Sequence, residues 1–135
     1  MDKVIIDTSV WIESFKPRAD QSLHRLVKDL ILGELVLLPG IIKTELLRGA
    51  KNKKEYNHLN QLLKGLLYLA VPEDFWERLS EFSFQLFRKG IAVPLTDTYI
   101  ALLCIENQAP ILHRDKHYDM IAKKTKLKIL QYPKL

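Results

Sequence analysis

Near the start of the chain an unbroken apolar run, Val4-Ile5-Ile6, stops abruptly at Asp7-Thr8-Ser9. A run this short, β-branched and without an alternating polar face reads as a strand covered on both sides, as central strands of parallel sheets are. The strand therefore ends on an acid, at the carboxyl edge where open α/β sheets bind their ligands. Asp7 has a second reading as the N-cap of a helix opening at Thr8, a position that Asp fills well.

The remainder alternates helices and strands, which predicts an α/β fold around a parallel sheet. A helix from Thr8 to about Phe15 ends before Pro17, and a second from about Asp20 to Leu32 carries Leu23, Leu26, Val27, Leu30 and Ile31 at helical spacing, with Gly33 closing it. Strands are expected at Glu34 to Leu38, Leu67 to Val71 and Ala109 to Leu112, with an edge strand at Lys128 to Leu130. Between them, helices are expected from about Ile41 to Gly49, Lys53 to Lys64, Pro72 to Lys89 and Thr96 to Gln108, and a last one from Tyr118 to about Thr125. Phe75, Leu79, Phe82, Leu86 and Phe87 form an apolar stripe that suits core or dimer surface better than a platform for stacking bases. No repeat, low-complexity segment or linker interrupts the pattern, so a single domain over 1–135 is expected.

Further acids recur at equivalent places. Glu45 lies in Thr44-Glu45-Leu46-Leu47-Arg48-Gly49, beside a buried stripe through Ile42 and Leu46; Asp97 opens a late helix; Asp115 follows the last long strand. Each has an ordinary explanation: a rim glutamate, an acid at a helix N-terminus, a charged turn. Around them, Lys51, Lys53 and Lys54 follow Arg48, and His113, Arg114, Asp115, Lys116 and His117 crowd what reads as one loop. The lysine run suits either a solvated helix start or contacts to backbone phosphates.

The ordered set, Asp7-Thr8-Ser9 after the first strand, Thr44 to Gly49, Asp97 and Asp115, resembles the PIN-domain ribonucleases. Among these it is most similar to the VapC-type toxins of bacterial and archaeal toxin-antitoxin pairs, over Val4 to about Ile129. The resemblance implies a single PIN-like domain with a central, mostly parallel sheet of four to five strands and helices on both faces. It also implies a metal-dependent endoribonuclease in which Asp7, Glu45, Asp97 and Asp115 serve Mg²⁺ or Mn²⁺, supported by Ser9 and Thr8. Arg48, Lys51, Lys53, Lys54 and Arg114 become the expected RNA contacts. The expected substrate is a transfer RNA or ribosomal RNA loop, and the expected partners are a small VapB-type antitoxin and a second copy in a homodimer. In this family the position of His113 is often a hydroxyl residue, a departure that leaves its role open. The alternative is a PIN-like domain that binds RNA or protein without cutting.

Composition is consistent with this reading. Twenty-one Lys and Arg against sixteen Asp and Glu give a net charge of +5, so an acidic pocket would sit in a basic protein, an arrangement suited to a polyanion. Cys104, the single cysteine, lies in an apolar helical stretch and reads as a buried, inert thiol; zinc ligation by His113 and His117 lacks both partners and tight spacing. An aspartyl-phosphate phosphatase would need a second Asp two residues after the first, where this chain has Ser9. With neither a signal peptide nor an apolar run long enough for a membrane span, the expected location is the cytoplasm.

Overall fold

The computed structural model describes residues 2–18 and 20–131. In chain order it comprises β1 (Val4–Ile6), α1 (Thr8–Phe15), α2 (Gln21–Leu32), β2 (Val36–Pro39), α3 (Gly40–Arg48), α4 (Lys53–Leu63), β3 (Leu67–Leu69), α5 (Phe75–Arg88), α6 (Leu95–Glu106), β4 (Ile111–Leu112) and α7 (Lys116–Ala122). The four strands form one parallel sheet in the order β3-β2-β1-β4. Val4, Ile5 and Ile6 are each at most 1% exposed. Since successive strand side chains point to opposite faces, burial of all three means that helices cover both faces of β1.

The strand order sets the position of the site. From β1 the chain steps outward through β2 to β3, then returns to place β4 on the other side of β1. The carboxyl ends of β1 and β4 thus flank a topological switch point, where the loops of an open sheet diverge and leave a crevice. Asp7 follows β1 there, and His113 to Asp115 follow β4.

Several boundaries differ from the sequence expectation. Strand β2 starts at Val36, not Glu34, because Glu34 takes the left-handed conformation (φ 56°) while the Leu35 N–H bonds to the Leu30 carbonyl. The left-handed residue after α2 is thus Glu34, one position beyond Gly33. Strand β3 ends at Leu69, and β4 is two residues long rather than four. The expected edge strand at Lys128 to Leu130 is reduced to a parallel bridge between Ile129 and Ile111, a strand too short to support a ladder. Helix α5 begins at Phe75, since the Pro72 carbonyl accepts from the Phe75 N–H in a turn that precedes it. Within α5, Phe75, Leu79 and Leu86 are buried, whereas Phe87 is 64% exposed, off the stripe on which it was expected. Helix α7 starts at Lys116 rather than Tyr118, which moves His117 from a loop into its first turn.

Gly90 ends α5 in the left-handed region (φ 81°), with its N–H bonded to the Phe87 carbonyl and the Ile91 N–H to that of Leu86. An added Cβ would meet nothing within 4 Å, so the whole penalty of a side chain there is conformational. Gly90→Ala should lower stability by about 1–2 kcal/mol. Gly49→Ala, at φ −83° with its nearest neighbour 3.6 Å from the new Cβ, should stay within about 0.5 kcal/mol of wild type. Urea midpoints of the two variants check this.

Candidate active site

Asp7 is 7% exposed, and both carboxylate oxygens are engaged. Oδ2 accepts from the Ser9 backbone N–H at 3.1 Å and from the Ser9 hydroxyl at 2.6 Å, while Oδ1 accepts from the Tyr118 hydroxyl at 2.8 Å. Asp7 therefore caps α1 and also stands at the switch point, so its two sequence readings hold together. Ser9 Oγ in turn accepts from the Arg114 backbone N–H at 3.2 Å, tying the end of β1 to the loop after β4. The neighbouring Thr8 hydroxyl donates to Glu45 Oε1 at 2.9 Å and brings α3 against the start of α1.

Asp97 and Asp115 meet from the other side. Asp97 lies in the first turn of α6, and Asp115 caps α7 by accepting from the His117 N–H at 2.9 Å. The His117 Nδ1 is 2.9 Å from Asp97 Oδ2 and 3.0 Å from Asp115 Oδ1, so one nitrogen proton there serves both carboxylates. One donor atom from each of these three side chains lies within 4.8 Å of the other two, close enough to hold a cation together. Among the described residues this is the one such group; it leaves out Asp7 and Glu45, and it contains a histidine for which sequence spacing gave no support.

The cluster is electrostatically uncomfortable. Burial, with the charges of Asp115 and Asp7 added, pushes the Asp97 carboxyl up to about 6. Burial would raise Asp115 too, but hydrogen bonds from the His117 N–H and from Asp97, and the His117 charge, outweigh it and hold that carboxyl below the ordinary range. Burial and the charge of Asp7 raise the Tyr118 phenol, keeping it a hydrogen-bond donor. A set of carboxylates held together against their own repulsion, with oxygen as the main donor, suits a hard divalent cation.

The two histidines after β4 have different duties. His113 Nδ1 accepts from the Asp115 N–H at 3.0 Å, which leaves Nε2 to donate to Asp119 at 3.2 Å, so this buried ring braces the loop. Tyr118 had no signal in the sequence beyond starting a helix; only the placement of α7 under β1 aims its hydroxyl at Asp7. The basic residues lie outside this network. Arg48, Lys51, Lys53 and Lys54 are exposed at the junction of α3 and α4, with Lys53 over the Tyr56 ring at 4.2 Å. The Arg114 guanidinium is turned toward Glu13, 3.4 Å away.

Because the folded-state pKa of Asp97 is raised, the folded state is favoured at low pH and loses that advantage as pH rises through about 6. In EDTA at pH 7.5, Asp97→Asn should therefore melt above wild type, by the equivalent of about 1 kcal/mol. The gap should close near pH 4.5, and Mg²⁺ or Mn²⁺ should reverse the order by stabilising wild type alone. Thermal melts of both proteins at the two pH values, with chelator and with metal, check this.

Comparison with known proteins agrees with the geometry. The PIN domain family model matches residues 4–124. The chain is 31% identical to ribonuclease VapC11 of Mycobacterium tuberculosis over 134 residues, covering 96% of this chain and 98% of that protein. It is 28% identical to ribonuclease VapC1 of Methanocaldococcus jannaschii, covering 94% and 86%. Among solved structures, VapBC2 from Rickettsia felis bound to a promoter DNA fragment aligns with a TM-score of 0.77 over 96% of this chain and 98% of that one, at 16% identity. These similarities establish that the chain belongs to the PIN-domain family and, within it, to the VapC ribonucleases.

Proposed function

We propose that this chain is a divalent-metal-dependent endoribonuclease, the toxin of a VapBC-type pair, in which Asp7, Glu45, Asp97 and Asp115 hold Mg²⁺ or Mn²⁺. The observation that carries this reading is the convergence of carboxylates from separate elements at one crevice, where burial and mutual repulsion push Asp97 up to about 6. When bound, such a cation neutralises charge on the transferring phosphoryl group and supplies an activated water. The chain's own residues supply position. Ser9 and Tyr118 fix the Asp7 carboxylate, Thr8 orients Glu45, and His117 holds Asp97 and Asp115 toward one another. Arg48, Lys51, Lys53, Lys54 and Arg114 are the groups we assign to the RNA backbone, and the substrate we expect is a transfer RNA or ribosomal RNA loop, read through shape and unpaired bases.

We also read the chain as one nuclease domain, since one hydrophobic cluster draws buried residues from each element between β1 and α7 except β3, whose Leu69 packs against it. A VapB-type antitoxin is the partner we propose, supported by the fold shared with VapBC2 of Rickettsia felis and with a toxin-antitoxin complex from Klebsiella pneumoniae. Exposed Trp76, Phe84 and Phe87 on α5 support a homodimer. No helix among the described residues is long and apolar enough to cross a membrane, which is compatible with the cytoplasmic location that these partners require.

Asp97→Asn should keep the fold and lower Mg²⁺-dependent cleavage of structured RNA by about 10²-fold or more, the scale for removing one charge-stabilising group. A gel-based cleavage assay on purified proteins, with EDTA controls, checks this; undiminished cleavage refutes the metal assignment. Changing Lys51, Lys53 and Lys54 together to Ala should weaken RNA affinity and flatten its dependence on salt by up to about 0.7 in log–log slope per contact to single-stranded RNA. Fluorescence anisotropy across a salt series measures that slope, and an unchanged value makes the run a solvated helix face.

A further inference from the structure

We propose that His117 is a metal ligand of this site, binding through Nδ1 beside Asp97 and Asp115, and that it turns the site's preference from Mg²⁺ toward first-row transition ions such as Mn²⁺ and Co²⁺. The proposal rests on the carboxylate metal site described above and specifies which cation that site takes.

Three observations carry it. First, the nitrogen is placed as a ligand would be: Nδ1 is 2.9 Å from one carboxylate oxygen and 3.0 Å from the other, and the three donor atoms lie within 4.8 Å of one another. Binding requires Nδ1 to give up that proton, with Nε2 keeping the ring's remaining one; the freed lone pair then faces a cation held between the same two carboxylates. Secondly, the ring is held there by backbone. His117 is in the first turn of α7, its N–H donates to the capping Asp115 at 2.9 Å, and the next residue, Tyr118, is anchored on Asp7 at 2.8 Å. The imidazole therefore points into the cluster as a consequence of how α7 is docked. Thirdly, the other histidine of the segment is already occupied, with His113 bonded through both ring nitrogens to Asp115 N–H and Asp119, so His117 alone offers a nitrogen to the crevice.

Donor chemistry gives the consequence. Carboxylates and water suit Mg²⁺, which keeps an oxygen shell and sheds water reluctantly. Imidazole is a softer donor that gains most with transition ions, in the order Mn²⁺ below Co²⁺. Exchanging one oxygen for a nitrogen therefore leaves Mg²⁺ with little benefit from that residue and rewards Mn²⁺ and Co²⁺. Even a partner that only supports a ligand is worth about 10–100-fold in metal affinity, so loss of a direct ligand should cost at least about tenfold.

Two measurements on the full-length protein, neither of them catalytic, test this. Pulsed electron paramagnetic resonance of bound Mn²⁺ should show nitrogen modulation from one imidazole in wild type and none in His117→Asn. Titration calorimetry should show Mn²⁺ and Co²⁺ weakened at least about tenfold by His117→Asn while Mg²⁺ shifts by less than about threefold. Bound Mn²⁺ without nitrogen modulation in wild type, or an equal loss for all three ions in the variant, overturns the role of His117 and leaves the carboxylate site standing. The wild-type spectrum decides the question even if the variant folds poorly. Failure of wild type to bind any of the three ions, or binding of all three unchanged in Asp97→Asn, sinks the carboxylate site instead, an outcome distinct from loss of the nitrogen signal alone.

Discussion

Much of this molecule depends on how one carboxylate, at the end of a fully buried strand, is made tolerable. Asp7 follows three residues that are at most 1% exposed and is itself 7% exposed, so its charge has lost most of its water. A buried charge without partners would cost several kcal/mol or take up a proton. Ser9 supplies two donors from one turn of local chain, and Tyr118 supplies the third from 111 residues away. That last bond docks α7 beneath the tip of β1, and with α7 come Asp115 as its cap and His117 in its first turn. The charge at the end of β1 is thus both the group that needs stabilising and the reason the C-terminal part of the site is where it is.

The same residues work against stability elsewhere. Asp97 enters a space already bordered by Asp7 and Asp115, and it is held there by its place in the first turn of a twelve-residue helix, whose free N–H groups favour a negative side chain. Helix geometry offsets part of the repulsion and His117 offsets more, yet Asp97 is still pushed up to about 6. Such arrangements concentrate at functional sites because a cation that relieves the strain is then bound tightly. Elsewhere in the chain charges pair without conflict, as where Arg78 reaches both Asp74 and Glu106.

What the sequence determined alone was whatever depends on neighbours in the chain. The buried strand at Val4 to Ile6, the helix from Thr8 to about Phe15, the capping role open to Asp7, the buried Cys104 and the ordered acids all follow from local periodicity, capping and composition. Element ends were less legible where tertiary contacts set them: the β2 start shifted because Glu34 adopted the left-handed turn, and Phe87 turned outward because only part of α5 faces the core. Tertiary structure alone decided which groups meet. The pairing of β1 with both β2 and β4 creates the crevice, and no spacing along the chain reveals that Tyr118 reaches Asp7, that His113 turns away to brace a loop, or that His117 enters the carboxylate cluster. Those outcomes depend on strand order and helix docking, which bring together residues up to 111 positions apart, and a local pattern carries no record of a distance that only the folded sheet defines.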